Sequence, residues 1–146
     1  MSQTKPRQNA KDPLKSIFLL FHQVNQKIDF EQNKVLQKYL LTPRQLIILQ
    51  VIDYYPLLNL NDIQKYTKID RTTVTEIIKK LENKELINSH KKEVDKRFKI
   101  IKINTKGRNI LRKLQVAADE TEAIFIKTLD FKTKKKFLNS LKQYTK

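Results

Sequence analysis

Cysteine is absent from this 146-residue chain, and glycine occurs once, at Gly107. Without cysteine the chain forms no disulfide, thiolate metal site or thiol-based redox sensor. With a single glycine there is no Gly-rich loop ahead of a helix to cradle phosphates. Histidine is limited to His22 and His90. They fall on different predicted elements, and neither stands at a metal-binding spacing from a carboxylate. His22 is read as partly buried or at a subunit interface. No clustered set of perturbed titratable groups suggests catalysis, so neither enzyme activity nor a cofactor or metal is expected.

Long hydrophobic runs are also missing. A membrane span needs about 18 apolar residues. The longest early run, Ile17-Phe18-Leu19-Leu20-Phe21, is too short even for a signal-peptide core and lies inside an amphipathic pattern. Residues 1–12 are polar, carry Lys5, Arg7 and Lys11, and read as a disordered basic arm. A cytoplasmic protein with no membrane partner is expected.

Negative charge is scarce. Asp and Glu number 15 against 31 Lys and Arg, for a formal net charge of +16. A surplus of that size attracts polyanions over long range. It fits nucleic acid, but two other readings compete. Lys-, Asn- and Ile-rich composition also arises from AT-rich coding DNA, and a basic surface also suits anionic lipid.

What is present is strong helical periodicity. Residues 13–39 place Leu14, Ile17, Phe18, Phe21, Val24 and Ile28 at helical spacing, with Val35, Leu36 and Tyr39 continuing the stripe. Thr42 is a natural N-cap, with Pro43 at the first position of a helix running to Tyr54. That helix is expected to bury Leu46, Ile47, Leu49 and Ile52, and Tyr55-Pro56 stops it. A short helix with Leu60, Ile63 and Tyr66 follows, then the turn Lys68-Ile69-Asp70. Asp70 caps a second helix whose buried stripe is Val74, Ile77, Ile78 and Leu81. Residues 86–91 and 98–103 are strand-like, with Ile101 and Ile103 on one face, around the charged tip Lys91-Lys92-Glu93-Val94-Asp95-Lys96-Arg97. Asn104 caps a long helix carrying Ile110, Leu111, Leu114, Ala117, Ala118, Thr121 and Phe125. A break at Leu129-Asp130 leads to a last helix, from about Thr133 to Tyr144. Its run Lys132, Lys134, Lys135 and Lys136 is read as a solvated face.

The order helix, turn, helix, hairpin is that of a winged helix-turn-helix. The fold expected is mainly α with a small β-hairpin wing. Its regions are the arm 1–12, an N-terminal helix in 13–40, the winged region 41–104 and C-terminal helices in 105–146. The first helix and the last two carry apolar stripes that the small middle cannot cover alone. They pair with a second copy in a homodimer or fold back on their own chain; the homodimer is the favoured reading.

The second helix of the pair opposes its buried stripe with Arg71, Thr72, Thr73, Thr75, Glu76 and Lys79. These side-chain types reach base edges and phosphates. Arg71 can contact guanine or phosphate. The threonines suit phosphates or a thymine methyl, although the Thr73 hydroxyl can instead bond back within its own helix. Lys79 and Lys80 suit the DNA backbone. Glu76 either reads a cytosine amino group or pairs with Lys79 or Lys80 across a turn, and the pair is favoured.

From Leu41 to Gly107 the chain resembles the MarR family of bacterial winged-helix regulators. Leu41-Thr42-Pro43-Arg44-Gln45 is similar to the family's LT-x-x-Q, and Asp70-Arg71-Thr72-Thr73-Val74-Thr75 to its D-R-S-T-V-T. Leu81-Glu82-Asn83-Lys84-Glu85-Leu86-Ile87 follows L-E-x-x-G-L-I, Asp95-Lys96-Arg97 follows D-x-R, and Ile103-Asn104-Thr105-Lys106-Gly107 follows L-T-x-x-G. The resemblance implies a homodimer on a near-palindromic double-stranded DNA operator. Each recognition helix would enter a major groove and each wing an adjacent minor groove. Arg97 would enter the minor groove, where a narrow AT-rich tract concentrates negative potential. Asp95 would hold Arg97; a solvent-exposed pair of little consequence is the alternative. Lys91, Lys92 and Lys96 would supply phosphate attraction. The family also often has a cleft for a small-molecule effector between dimerisation helices and winged region. Its walls here would be Phe18, Phe21, Leu46, Tyr54 and Tyr55, each of which also reads as ordinary core or interface. The chain has Glu85 where the family usually has glycine. Asn83 is expected to take the left-handed position instead. A non-specific architectural DNA binder, or a winged domain that docks a protein, are the alternative functions.

Overall fold

In the computed structural model the described residues are 12, 15–91, 99–127 and 129–145, with side chains undescribed at 91, 117, 121, 124 and 125. The order is α1 (Ile17–Leu36), a 3-10 turn (Gln37–Tyr39), α2 (Pro43–Tyr54), α3 (Leu60–Thr67), α4 (Arg71–Asn83), β1 (Ile87–Lys91), β2 (Lys99–Ile103), α5 (Thr105–Ile126) and α6 (Phe131–Tyr144). The first helix begins at Ile17, four residues later than the apolar spacing suggests. Ser16 precedes it without a side-chain cap bond, and the last turn tightens to 3-10 instead of continuing as α-helix.

Polar side chains start the next helices. Thr42 Oγ1 accepts from the Gln45 N–H at 3.3 Å and Gln45 Oε1 accepts from the Thr42 N–H at 3.1 Å, a reciprocal capping box. Asn59 and Asp62 repeat that arrangement on α3. Asp70, Asn104 and Asp130 cap α4, α5 and α6 through the N–H groups of Thr73, Gly107 and Thr133.

One core runs through the winged region. Leu46, Ile48, Leu49 and Ile52 of α2 meet Ile63 of α3, Val74, Ile77, Ile78 and Leu81 of α4, Leu86, Ile87, Ile101 and Ile103 of the hairpin, and Leu111 and Leu114 of α5. Ile47, expected in that stripe, is 43 % exposed, and Ile48 is fully buried instead. One position is about 100° of helix, and the face toward α1 and solvent takes Ile47.

The strands pair antiparallel, with Ile87 opposite Ile103 and Lys91 opposite Lys99. Leu58 adds a single bridge on the outer side of β2, and the Ile101 N–H donates to its carbonyl at 2.8 Å. Residues 55–58 thus anchor the hairpin to the end of α2. α5 packs back across α1 and α2. Arg108 Nε of α5 donates to Asp53 Oδ1 of α2 at 3.0 Å. Among the described residues no helix is long and apolar enough to cross a membrane.

Three helix ends place residues with a Cβ in the left-handed region: Leu40 (φ 53°), Lys68 (φ 57°) and Glu85 (φ 56°). Asn83, the residue expected there, is the last helical residue of α4; Glu85 itself takes the glycine conformation. The Glu85 N–H donates to Glu82 O at 2.8 Å and the Leu86 N–H to Leu81 O at 3.0 Å, which is the Schellman pattern. Buried Leu81 and Leu86 supply its usual apolar contact. Two α5-side groups hold Glu85: Asn104 Nδ2 donates to its carbonyl at 2.8 Å, and Lys106 Nζ to its carboxylate at 2.9 Å. Lys106 thereby lowers the Glu85 pKa, first by hydrogen bonding and then by charge.

Candidate nucleic-acid interface

The site begins with the two-sidedness of α4. Its inward face, Val74, Ile77, Ile78 and Leu81, is buried against α3 and the hairpin. On the outward face Arg71, Thr72, Thr75, Glu76, Lys79 and Lys80 are exposed, and Thr73 is half-buried. The structure therefore brings all seven predicted recognition-helix residues onto one helix.

One alternative is not taken, and one expectation changes. The hydroxyl that bonds back into the helix is that of Thr75, donating to Arg71 O at 2.8 Å. The Thr73 hydroxyl lies instead with Asp70, whose pKa it lowers as the leading cause, followed by the Thr73 N–H. Among the described residues Glu76 makes no ion pair with Lys79 or Lys80, so the favoured i,i+3 or i,i+4 pairing is not formed. Three neighbouring carboxylates are engaged instead with the hairpin, α5 and the α4 cap.

Arg71 has a partner the sequence reading did not find. Its Nη1 donates to Asn61 Oδ1 of α3 at 2.9 Å. Asn61 lies ten residues back, so no local spacing links the two. The outer groove between α3 and the turn has a volume of about 440 Å³ and is lined by Asn61, Gln64, Lys65, Lys68, Ile69 and Asp70. Lys65 and Lys68 add positive charge there that the reading of α4 alone omitted.

The wing is tied to the end of α4 by Glu82. Its carboxylate accepts from the Ser89 hydroxyl of β1 and from Lys99 Nζ of β2 at 3.3 Å. Lys91 is the last residue of β1. Lys92, Asp95, Lys96 and Arg97 lie outside the described residues. His90 is exposed on β1. His22 is exposed on α1 in the single chain, where burial was one expected reading. Among the described residues no group of three His, Cys, Asp or Glu could hold a metal ion.

The five residues expected to wall an effector cleft have different surroundings in the single chain. Phe18 is 83 % exposed and Phe21 is exposed lower on the same helix. Leu46 is in the core, beside a void of about 10 Å³ lined by Gln32, Val35, Leu36, Leu114 and Ala118. Tyr54 and Tyr55 belong to an aromatic group at the far end of α2. Tyr55 stacks on Tyr66 at 4.3 Å and meets Tyr54 edge-on at 4.8 Å. Burial, then the two neighbouring phenols, raise the Tyr55 pKa. A separate open cleft of about 490 Å³ lies between α1 and the start of α2, lined by Asn25, Asp29, Thr42, Pro43, Arg44 and Ile47.

The MarR family model matches residues 41–99, the α2-to-β2 stretch that carries this surface. The chain is also 30 % identical over 112 residues to the HTH-type transcriptional regulator MgrA of Staphylococcus aureus, covering 77 % of this chain and 75 % of MgrA. The chain belongs to the MarR family. The structure of Bordetella bronchiseptica BpsR, described with regulation of its DNA binding by 6-hydroxynicotinic acid, superimposes with a TM-score of 0.84 at 18 % identity, over 94 % of this chain and 98 % of that one. The MepR–DNA complex of S. aureus gives 0.81 at 22 % identity, over 88 % and 96 %. At those identities the likeness establishes the MarR winged-helix fold.

Proposed function

We propose that this MarR-family chain is a DNA-binding transcriptional regulator, acting in the cytoplasm as a homodimer on a near-palindromic operator. The observation that carries this reading is α4: a capped helix whose outward face is Arg71, Thr72, Thr75, Glu76, Lys79 and Lys80 and whose inward face is entirely core. A helix so mounted is what a major groove accepts. Arg71 contacts guanine or phosphate, the threonines meet phosphates or a thymine methyl, Lys79 and Lys80 hold phosphates, and Lys91, Lys92, Asp95, Lys96 and Arg97 serve the wing. The +16 charge supplies non-specific attraction.

Dimerisation is assigned to residues 13–40 and 105–146. Ile17, Phe18, Leu20, Phe21 and Val24 of α1 and Phe137 and Leu138 of α6 support it, because they remain exposed among the described residues of the single chain. Effector control follows the family resemblance. The cleft at Asn25, Asp29, Arg44 and Ile47 has the size of a small-molecule site. A ligand there would act by favouring a dimer whose recognition helices are wrongly spaced for the operator.

The test is DNase I footprinting on DNA from upstream of the protein's own gene. Protection of one near-palindromic site of two half-sites about one helical turn apart supports the reading. Diffuse protection of every fragment at the same concentration would favour an architectural binder.

A further inference from the structure

Arg71 does not stand free at the start of α4. Its Nη1 donates to Asn61 Oδ1 at 2.9 Å. Asn61 is itself held by the cap of α3: its N–H donates to Asn59 Oδ1 at 2.8 Å, and the Asn59 N–H donates to Asp62 Oδ2 at 3.0 Å. One capping network therefore starts α3 and sets the first side chain of α4.

The nature of the partner matters. A guanidinium has five N–H donors, and this one spends one of them on a neutral amide. Among the described residues Arg71 has no carboxylate partner, although Asp70 is next to it in the chain. A carboxylate would offset its charge and so weaken its attraction to DNA. An amide leaves the full charge, and Nε and Nη2 remain available, enough for a two-pronged contact with guanine O6 and N7. Fixing a long side chain beforehand also removes ordering cost from the binding step, worth about 3- to 10-fold in affinity.

We propose that Asn61 is a positioning residue for sequence reading: it presets Arg71 at the mouth of the groove formed with Lys65 and Lys68. This rests on the reading of α4 as the recognition helix. Asn61 needs no contact with DNA to do so.

The test uses the full chain and fluorescence anisotropy. Wild type, Asn61→Ala, Arg71→Ala and the double variant are titrated with the footprinted operator and with a shuffled duplex, across a salt series. Asn61→Ala is expected to lower the operator-to-shuffled ratio about 3- to 10-fold. Its salt slope should match wild type, because no phosphate contact is lost. The double variant should be no worse than Arg71→Ala alone, since both remove one coupled unit. Asn61→Asp retains an acceptor and should keep the ratio near wild type, even if both affinities fall. An unchanged ratio in Asn61→Ala, or losses that multiply in the double variant, would overturn the inference. The wild-type ratio separates the two levels. A value near one overturns the regulator reading together with this role, whereas a large value that Asn61→Ala leaves intact overturns the positioning role alone.

Discussion

Gly107 packs its bare Cα against the backbone carbonyl of Leu86: a Cβ at Gly107 would stand 2.1 Å from that oxygen. The same carbonyl accepts the Asn104 N–H at 3.1 Å, and Asn104 Oδ1 accepts the Gly107 N–H at 2.9 Å. The chain's one glycine thus closes the hairpin base onto α5. Two effects of opposite sign follow from replacing it. Alanine is better than glycine inside a helix by about 1 kcal/mol. Overpacking typically costs about 1–3 kcal/mol, and more where the obstacle is backbone. The clash wins, so Gly107→Ala is expected to destabilise the protein by roughly 2 kcal/mol in urea denaturation. A stability equal to wild type would contradict this packing.

Glu85 behaves in the opposite way. A residue with a Cβ in the left-handed region costs about 1–2 kcal/mol, and the Lys106 pair that helps to hold it is exposed on both sides and therefore weak. Glu85→Gly is expected to raise the melting temperature by roughly 2–4 °C, as a gain near 1 kcal/mol does in a chain of this size. A fall in melting temperature would mean that the Lys106 contact outweighs the backbone relief.

Acid should weaken the α4 cap. The Thr73 hydroxyl and N–H hold the Asp70 pKa below its ordinary 3.8. A lowered folded-state pKa means that the stabilisation is fully present above the unfolded value and is lost as pH falls through the folded one. Asp70→Asn keeps a cap acceptor but cannot titrate. Its melting temperature is expected to fall less steeply than that of wild type below about pH 4. Superimposable curves would remove Asp70 from the acid response.

Glu82 links the recognition helix to both strands of the wing through Ser89 and Lys99. Glu82→Ala is expected to weaken operator binding about 5- to 30-fold, the span of a part-buried hydrogen bond of about 1–2 kcal/mol, while leaving the oligomeric state seen by analytical ultracentrifugation unchanged. Wild-type affinity in that variant would show that the wing is placed by the core alone.

The legible parts of the fold were those set by local chemistry. Val74, Ile77, Ile78 and Leu81 share one face because of helical geometry, and Thr42, Asp70 and Asn104 cap because short polar side chains satisfy the N–H groups behind them. What was not legible depends on distant partners. The Asn61–Arg71 bond joins two helices, the Leu58–Ile101 bridge pairs an irregular loop with a strand, and the stacking of Tyr55 on Tyr66 joins the end of α2 to α3. Ile47 and Ile48 are chemically equivalent, and the packing of α2 into the winged-region core buries Ile48 while leaving Ile47 exposed. Glu85 was misjudged because Asn is the better intrinsic left-handed residue; the Schellman bonds and Asn104 override that preference. The α3 capping box is local chemistry too, carried by the three-residue spacing of Asn59 and Asp62.

The central claim is sequence-specific DNA recognition, and the most direct measurement is anisotropy binding to the upstream operator and to a shuffled duplex across a salt series. The account predicts an operator affinity that survives about 0.15 M salt and exceeds that for shuffled DNA by about 10³-fold or more. Equal affinities that collapse together as salt rises would contradict it, leaving the +16 charge as the whole of the binding.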